Sequence, residues 1–95
     1  MKIRISPEAE QDLIEIFDYI ITDNPLAAKK TLDVIYSEIR HLSNHPELGR
    51  VGRVSGTREL VLSGAPFIVP YQMNKDALEI LRIYHSARKW PDGFD

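Results

Sequence analysis

Residues 6–42 read SPEAEQDLIEIFDYIITDNPLAAKKTLDVIYSEIRHL, and this stretch decides the fold class. Each half opens with a capping side chain directly before a proline, Ser6-Pro7 and Asn24-Pro25. Proline is tolerated at the first helical position, where its missing N–H has no partner in any case. Apolar residues then recur every three or four positions, which is typical of a helix with one buried face. The sequence therefore predicts helices over 7–21 and from 25 to about 43, joined by a short turn into an antiparallel hairpin.

Alternating polar and apolar residues on both sides of this hairpin predict strands. One short strand precedes it at residues 2–5. Glycines and arginines at 49–56 indicate a loop or a weak edge strand. Three antiparallel strands are then expected, separated by turns at 63–66 and 74–76; they cover residues 57–63, 67–73 and 77–85.

Pro70 lies inside the second of these three strands, where a proline removes a hydrogen-bond donor and favours an edge or a bulge. The order strand, helix, helix and three strands indicates an α+β domain. We expect the helical hairpin to cover one face of a mostly antiparallel sheet and the other face to be open.

The composition is that of an ordinary folded domain, with 43% hydrophobic and 27% charged residues among 95. The chain has no cysteine, which excludes disulfides, thiol nucleophiles and zinc knuckles. No stretch approaches the roughly 18 apolar residues of a membrane-spanning helix, and residues 1–7 lack the apolar core of a signal peptide. We therefore expect one soluble cytoplasmic domain over residues 1–95, without a membrane partner.

The charge of the chain is divided unevenly between its two halves. The net charge is −2 and the pI about 5.9, so the chain as a whole lacks the basic character of a dedicated nucleic-acid binder. Residues 1–48 carry five Lys and Arg against nine Asp and Glu, whereas residues 49–95 carry seven against five. Arg50, Arg53 and Arg58 form a basic arc in this second half. The arc is either ordinary surface charge, paired with Glu59, or a contact for an anionic partner.

Residues 82–91 hold the densest group of chemically active side chains. His85, at a strand end, is able to titrate near neutrality and to act as a general acid or base, or else it only hydrogen-bonds the backbone. Arg88, Lys89 and Trp90 suit contacts with phosphates and bases. The alternative for these three is a solvated tail in which Trp90 covers the edge of the core.

Signals for metals and cofactors are weak or missing. His41 and His45 have the i, i+4 spacing of helical zinc ligands, but Pro46 ends the helix there. Neither a phosphate-binding glycine loop nor a Ser/His/Asp set at a recognisable turn is present. We expect no metal site and no cofactor.

Several segments together resemble the RelE/ParE superfamily of bacterial type II toxin–antitoxin toxins, and most closely its ParE-like branch. They run through nearly the whole chain: Ser6-Pro7-Glu8-Ala9 at the first helix, His45-Pro46-Glu47-Leu48-Gly49-Arg50 after the second, Gly56-Thr57-Arg58-Glu59-Leu60, Pro66-Phe67-Ile68-Val69-Pro70-Tyr71, and Ile80-Leu81-Arg82-Ile83-Tyr84-His85-Ser86-Ala87-Arg88-Lys89-Trp90-Pro91.

The resemblance implies a small toxin that a cognate antitoxin, encoded beside it, neutralises. The antitoxin's disordered C-terminal segment is expected to fold onto the toxin in a hetero-oligomeric complex. Toxins similar to RelE cleave mRNA in the ribosomal A site, whereas those similar to ParE poison DNA gyrase.

The strand before Tyr71 favours the ParE-like activity. Ribosome-dependent nucleases place an arginine there, but this chain has Phe67, Ile68 and Val69, and an apolar residue cannot stabilise a pentavalent phosphate. The low pI also disfavours entry into the phosphate-rich ribosome. We therefore predict a gyrase-binding toxin that needs no covalent chemistry of its own. The predicted target contacts are Arg58, Arg82, Arg88, Lys89 and Trp90.

The alternative is a RelE-like endoribonuclease that acts on mRNA in the ribosome. Its phosphate clamp and acid/base group would then be drawn from Arg58, His85 and Arg88.

The antitoxin is expected to cover apolar surface that a lone 95-residue chain cannot hide. We predict a partly helical segment on the exposed stripe of the helical hairpin and on the uncovered sheet face. The predicted antitoxin contacts are Leu13, Phe17, Leu32 and Tyr36.

Overall fold

A computed structural model of the protein describes residues 1–87. Within this range the chain forms two helices and six strands. In chain order they are β1 (Lys2–Ile5), α1 (Pro7–Ile21), α2 (Pro25–His41), β2 (Arg50–Val51), β3 (Arg58–Val61), β4 (Phe67–Met73), β5 (Ala77–Ile80) and β6 (Tyr84–His85).

Both predicted helix starts are confirmed, and each has its predicted cap. The Ser6 hydroxyl accepts a hydrogen bond from the Ala9 N–H, and the Asn24 side-chain carbonyl accepts one from the Ala27 N–H, each over 3.0 Å. These bonds satisfy amide donors that the first turn of a helix leaves without intrahelical partners. The second helix ends at His41, about two residues before the predicted end, because its last turn tightens around Leu42.

The strands form one mixed sheet in the order β1-β5-β4-β3-β2, with β6 also paired to β4. The β1–β5 pair is parallel, and the other pairs in residues 1–87 are antiparallel. Apolar side chains of both helices and of one sheet face form the core, including Ile35, Leu42, Val69, Leu78 and Ile80. The predicted α+β fold is confirmed, and residues 50–51 form the weak edge strand.

The single strand predicted over residues 77–85 is wrong. Tyr71 lies opposite Ile80, and Ile68 lies opposite Tyr84. Between these two pairs, residues 69–70 of β4 therefore face three residues, 81–83. This mismatch is a β-bulge. It occurs beside Pro70, which accepts a hydrogen bond from the Leu81 N–H but has no N–H of its own to return. The proline therefore interrupts the ladder where the sequence suggested that it would.

The bulge also reverses which side chains face the helices after it. Ile83 joins Ile80 in the core, whereas Tyr84 lies on the opposite face, directly across from Ile68. The expectation that this second face is open is wrong at that position, because Ile68 and Tyr84 are only 5% and 3% exposed. The Arg82 guanidinium lies over the Tyr84 ring, 4.8 Å from its centroid, and shields it.

Candidate functional site

The bulge that carries Arg82 is held by the first two turns of α1. The Ser6 hydroxyl, besides capping the helix, donates a hydrogen bond to the Leu81 carbonyl over 2.9 Å. One to two turns further, the buried Asp12 carboxylate accepts two hydrogen bonds from the Arg82 guanidinium, over 2.8 and 2.9 Å. Asp12 also accepts the Ile83 N–H over 2.9 Å. Three donors thus converge on the Asp12 carboxylate. Within the bulge, the Leu81 carbonyl and the Ile83 N–H both find hydrogen-bond partners on α1 or at its cap.

Arg82, predicted as a target contact, therefore has an internal partner. Its hydrogen bonds to Asp12 raise the guanidinium pKa, against the opposing effect of desolvation. The side chain is 28% exposed, and it bridges Asp12 and the Tyr84 ring. Its first role is to join α1 to the C-terminal strand.

His85, the predicted acid/base group, is exposed at the end of β6. Its Nδ1 accepts a hydrogen bond from the Ala87 N–H over 3.2 Å. Its ring meets Phe67 edge to face, with centroids 5.6 Å apart. Together the two rings border an apolar groove of about 480 Å³ that also involves Ile16, Tyr19 and Ile20 of α1. The backbone hydrogen bond considered from the sequence is therefore present.

Arg58 lies at the start of β3, opposite Tyr71. Its Nη1 donates to the Gly49 carbonyl over 2.8 Å and, more weakly, to the Glu47 carbonyl over 3.4 Å. These contacts stabilise the loop after α2 and hold the guanidinium against the backbone.

Tyr71 fixes the same loop from the core side. Its hydroxyl donates to the Pro46 carbonyl and accepts the Gly49 N–H, each over 2.8 Å. Burial raises the pKa of Tyr71, and the hydrogen bond from Gly49 and the nearby Arg58 only partly offset this. Tyr71 thus anchors the loop after α2 to the sheet.

The structure does not bring Arg58 and His85, two of the three residues predicted for nuclease chemistry, onto the same pair of strands. Arg58 pairs with Tyr71 on one side of β4, and His85 pairs with Phe67 on the other side. Four residues of strand separate these two positions, about 14 Å at roughly 3.4 Å per residue, and the two flanking strands add about 10 Å across the sheet. Arg58 is held against the Gly49 carbonyl and His85 against the Phe67 ring, so the two side chains have separate partners. Arg88, Lys89 and Trp90 lie outside the described residues.

Glu59 was missed as a candidate by sequence reasoning, although it is the most deeply buried charged side chain in residues 1–87, with 1% exposure. Its Oε1 accepts hydrogen bonds from Arg50 Nε and Nη2, over 3.0 and 2.9 Å. Its Oε2 accepts the Arg53 N–H over 2.9 Å and lies 3.7 Å from Arg53 Nε. The basic arc therefore does pair with Glu59, but through Arg50 and Arg53. The only sequence signal was a single carboxylate among three arginines.

The four predicted antitoxin contacts line one shallow groove between the two helices. Its volume is about 310 Å³, and Leu13, Phe17, Leu32 and Tyr36 all border it. Leu13 is buried, whereas Tyr36 is 38% exposed, and Ile14 beside them is 49% exposed. The structure thus brings these residues together on a partly apolar surface with acidic side chains at its rim.

No three His, Cys, Asp or Glu side chains within residues 1–87 are grouped so that they could hold a metal ion. No helix in the same range is both long and apolar enough to cross a membrane.

Comparisons with known proteins identify the family. Residues 3–90 match the family model of the ParE toxin of the type II toxin–antitoxin system parDE. The chain is 40% identical to the putative toxin Y4kP of Sinorhizobium fredii over 90 residues, which cover 95% of this chain and 93% of the relative. It is 33% identical to the toxin RelE3 of Caulobacter vibrioides over 89 residues, which cover 92% and 96%.

A solved structure of the chromosomal ParDE TA system from P. aeruginosa has the same fold. It superimposes with a TM-score of 0.82 at 28% sequence identity and covers 90% of this chain and 95% of that one. The predicted membership of the RelE/ParE superfamily is confirmed: the chain belongs to the ParE toxin family of type II toxin–antitoxin systems.

Proposed function

We propose that this toxin inhibits DNA gyrase by protein–protein binding and stalls the enzyme on cleaved DNA. One observation carries the proposal: Arg58 and His85 lie at opposite ends of β4, on opposite sides of it and each with its own partner, so these two are not paired as a phosphate clamp with an acid/base group. A toxin of this kind needs a binding surface and no catalytic centre. The match to the ParE family model supports the same activity.

The second candidate is a ribosome-dependent endoribonuclease, which the similarity to Caulobacter toxins named RelE3 and RelE2 favours. In that case the phosphate clamp and the acid/base group would be drawn from Arg58, His85 and Arg88. Both targets lie in the bacterial cytoplasm, so either activity would place the toxin there.

A paired assay separates the two activities. The full chain, freed of antitoxin, is added to purified gyrase with supercoiled plasmid and, in parallel, to an in vitro translation reaction. We expect cleaved plasmid to accumulate while translation continues. Codon-dependent cuts in mRNA with unaffected gyrase would establish the nuclease activity instead.

Substitutions in the same assay test the chemistry. His85→Ala should leave gyrase inhibition within about threefold, since a binding surface does not require an acid/base group. Arg88→Ala should weaken inhibition under either mechanism, because Arg88 is a predicted target contact. Loss of activity in His85→Ala, with fold and antitoxin binding retained, would contradict the binding mechanism.

The cognate antitoxin is proposed to cover the groove between α1 and α2. Support comes from the apolar side chains that converge there and from the exposure of Ile14 and Tyr36 in the lone chain. An amphipathic helix suits such a groove because its apolar residues at every third or fourth position can enter it together. Hydrogen exchange on the toxin alone and on the complex checks this: amides of residues 7–45 should gain protection. No added protection there would contradict the proposed surface.

A further inference from the structure

The groove of about 480 Å³ beside His85 lies between α1 and the paired ends of β4 and β6. Among the residues that line it are Phe67, whose ring is 7% exposed, and Tyr19 of α1, which is 82% exposed. Ile16 and Ile20, one turn apart on α1, line it as well. Its volume lies within the roughly 300–1,000 Å³ of pockets that hold small ligands, so a large side chain fits into it.

The described residues end at the border of this groove. His85 and Pro66 both line it, and the Ser86 N–H donates to the Pro66 carbonyl over 2.9 Å. The Ala87 N–H donates to His85 Nδ1 over 3.2 Å, so the backbone is tied to the border of the groove as far as Ala87. Eight further residues follow from that point: Arg88-Lys89-Trp90-Pro91-Asp92-Gly93-Phe94-Asp95.

Trp90 has the reach and the chemistry to enter the groove. It is the only tryptophan of the chain and the third residue after Ala87. Three extended residues span about 10 Å, and Pro91 favours an extended backbone at the residue before it. An indole buries a large apolar area but needs an acceptor for its N–H. Glu15 and Thr31, which also line the groove, carry acceptor oxygens.

We propose that this groove is the docking site of the chain's own C-terminal segment, residues 88–95, with the Trp90 indole packed against Ile16, Ile20 and Phe67. The covalent connection favours this occupant over a second copy of the chain or the antitoxin. A segment a few residues from its site has an effective concentration of about millimolar, without any loss of translational freedom on binding.

Docking would also fix the residues that precede the indole. Arg88 and Lys89 lie between Ala87 and Trp90 in the chain, so they would be held near His85. The sequence left Trp90 either as a target contact or as a cover for the edge of the core, and the groove favours the second role. The docking does not depend on whether gyrase or the ribosome is the target.

The test is the fluorescence of the full chain, in which Trp90 is the single tryptophan. We expect blue-shifted emission and acrylamide quenching at least about threefold slower than for free N-acetyltryptophanamide, because a docked indole is shielded from water. Both should hold without antitoxin and at every protein concentration. Emission and quenching equal to those of the free compound would overturn the proposal.

The same measurement identifies other occupants. Shielding that develops only as the protein concentration rises would assign the indole to a second copy of the chain. Shielding that appears only after the cognate antitoxin is added would assign it to the complex. Either result would overturn docking within one chain.

Two variants on α1 locate the docked indole. Ile20→Glu places a charge in the groove, whereas Ile14→Glu places the same charge at the groove between α1 and α2, where Ile14 is 49% exposed. Ile20→Glu should raise the quenching rate at least about twofold, and Ile14→Glu should change it by less than about 20%. Circular dichroism verifies the fold of each, and equal effects of the two would overturn the proposed site.

A second measurement needs no variant and applies even if Ile20→Glu does not fold. NMR of the isotope-labelled full chain should show nuclear Overhauser effects between the Trp90 indole protons and the methyl groups of Ile16 and Ile20. Effects to the methyl groups of Ile14 instead, or none to α1, would overturn the proposal.

Discussion

At the scale of single residues, Tyr71 connects the centre of the sheet to the loop between α2 and β2. Its ring is fully buried, and its hydroxyl is both donor and acceptor for that loop. Gly49 makes this close approach possible, because a Cβ there would lie 2.6 Å from Tyr71 Cε1 and 2.7 Å from its hydroxyl. The position of the loop thus depends on the hydrogen bonds of the Tyr71 hydroxyl and on the absence of a side chain at Gly49.

Tyr71→Phe should lower the free energy of unfolding by about 1–3 kcal/mol, because the buried Gly49 N–H and the Pro46 carbonyl lose their partner. Urea unfolding measures this loss. Tyr19→Phe is the matched control: Tyr19 is 82% exposed, and its change should stay within about 0.5 kcal/mol. Equal effects of the two substitutions would show that the buried hydrogen bonds contribute nothing.

At the scale of elements, the features that the sequence predicted are those that depend on neighbours in the chain. Ser6-Pro7 and Asn24-Pro25 act within one helical turn, and the helical apolar period extends over a few turns, so both helices were predictable. The bulge at 81–83 depends instead on Pro70 and Asp12, which lie far away in sequence. Pro70 signalled an irregularity, but nothing in the local sequence pattern marks Asp12 as the residue that holds the bulge.

The residues of the candidate site likewise include some that local patterns predict and some that depend on distant parts of the chain. Leu13, Phe17, Leu32 and Tyr36 share a groove because helical periodicity placed them on adjoining faces, and this was predictable. The burial of Glu59 was not predictable, because strand alternation puts its side chain on the sheet face that Leu60 does not occupy, away from the expected core. Only the register of β2 against β3 brings Arg50 to it. That register is a long-range property that local patterns do not encode.

The contact between α1 and the bulge should contribute measurably to stability. Asp12→Asn keeps the shape of the side chain but leaves the partly buried Arg82 without a counter-charge, and we expect a loss of about 2 kcal/mol. Asp33→Asn on α2 is the matched control, because its salt bridge with Lys29 is exposed on both sides and should contribute less than about 0.5 kcal/mol. Chemical denaturation of both variants tests this, and similar losses would contradict the role of Asp12.

Glu38 joins α2 to the turn between β3 and β4, and it should make stability depend on pH. Desolvation raises the pKa of Glu38, but hydrogen bonds from the Ser63 and Gly64 amides and the Ser63 hydroxyl, with nearby His41, outweigh it and lower the pKa below 4.5. The carboxylate therefore stabilises the fold above about pH 4.5, and this contribution disappears as the pH falls through the lowered pKa.

Glu38→Gln should accordingly be less stable than the parent chain at pH 7, by less than about 1 kcal/mol because the side chain is partly exposed to solvent. The difference should shrink as the pH falls below about 4.5 and through the lowered pKa of Glu38. Unfolding free energies of both chains over this range provide the measurement. A difference that stays constant with pH would exclude a role for the charged carboxylate.

At the scale of the whole molecule, the fold separates two kinds of surface. The groove between α1 and α2 is apolar at its base and has acidic residues Glu10 and Asp18 at its rim. The β2 edge, with Arg50 and Arg53, belongs to the basic half of the chain. The uneven charge of the two halves is thus displayed on different parts of the molecule.

The groove between the helices should carry most of the affinity for the antitoxin, because large apolar side chains that become buried dominate binding energy. Tyr36→Ala and Phe17→Ala should each weaken binding of the cognate antitoxin at least about tenfold, or about 1.4 kcal/mol. Leu26→Ala is the matched control: Leu26 lies at the start of α2, is 78% exposed and does not border the groove. Calorimetric titration of each full-length variant, with circular dichroism to verify the fold, measures the effect. If Leu26→Ala weakened binding as much as Tyr36→Ala, exposed apolar area anywhere on the hairpin would suffice, and the groove would lose its assigned role.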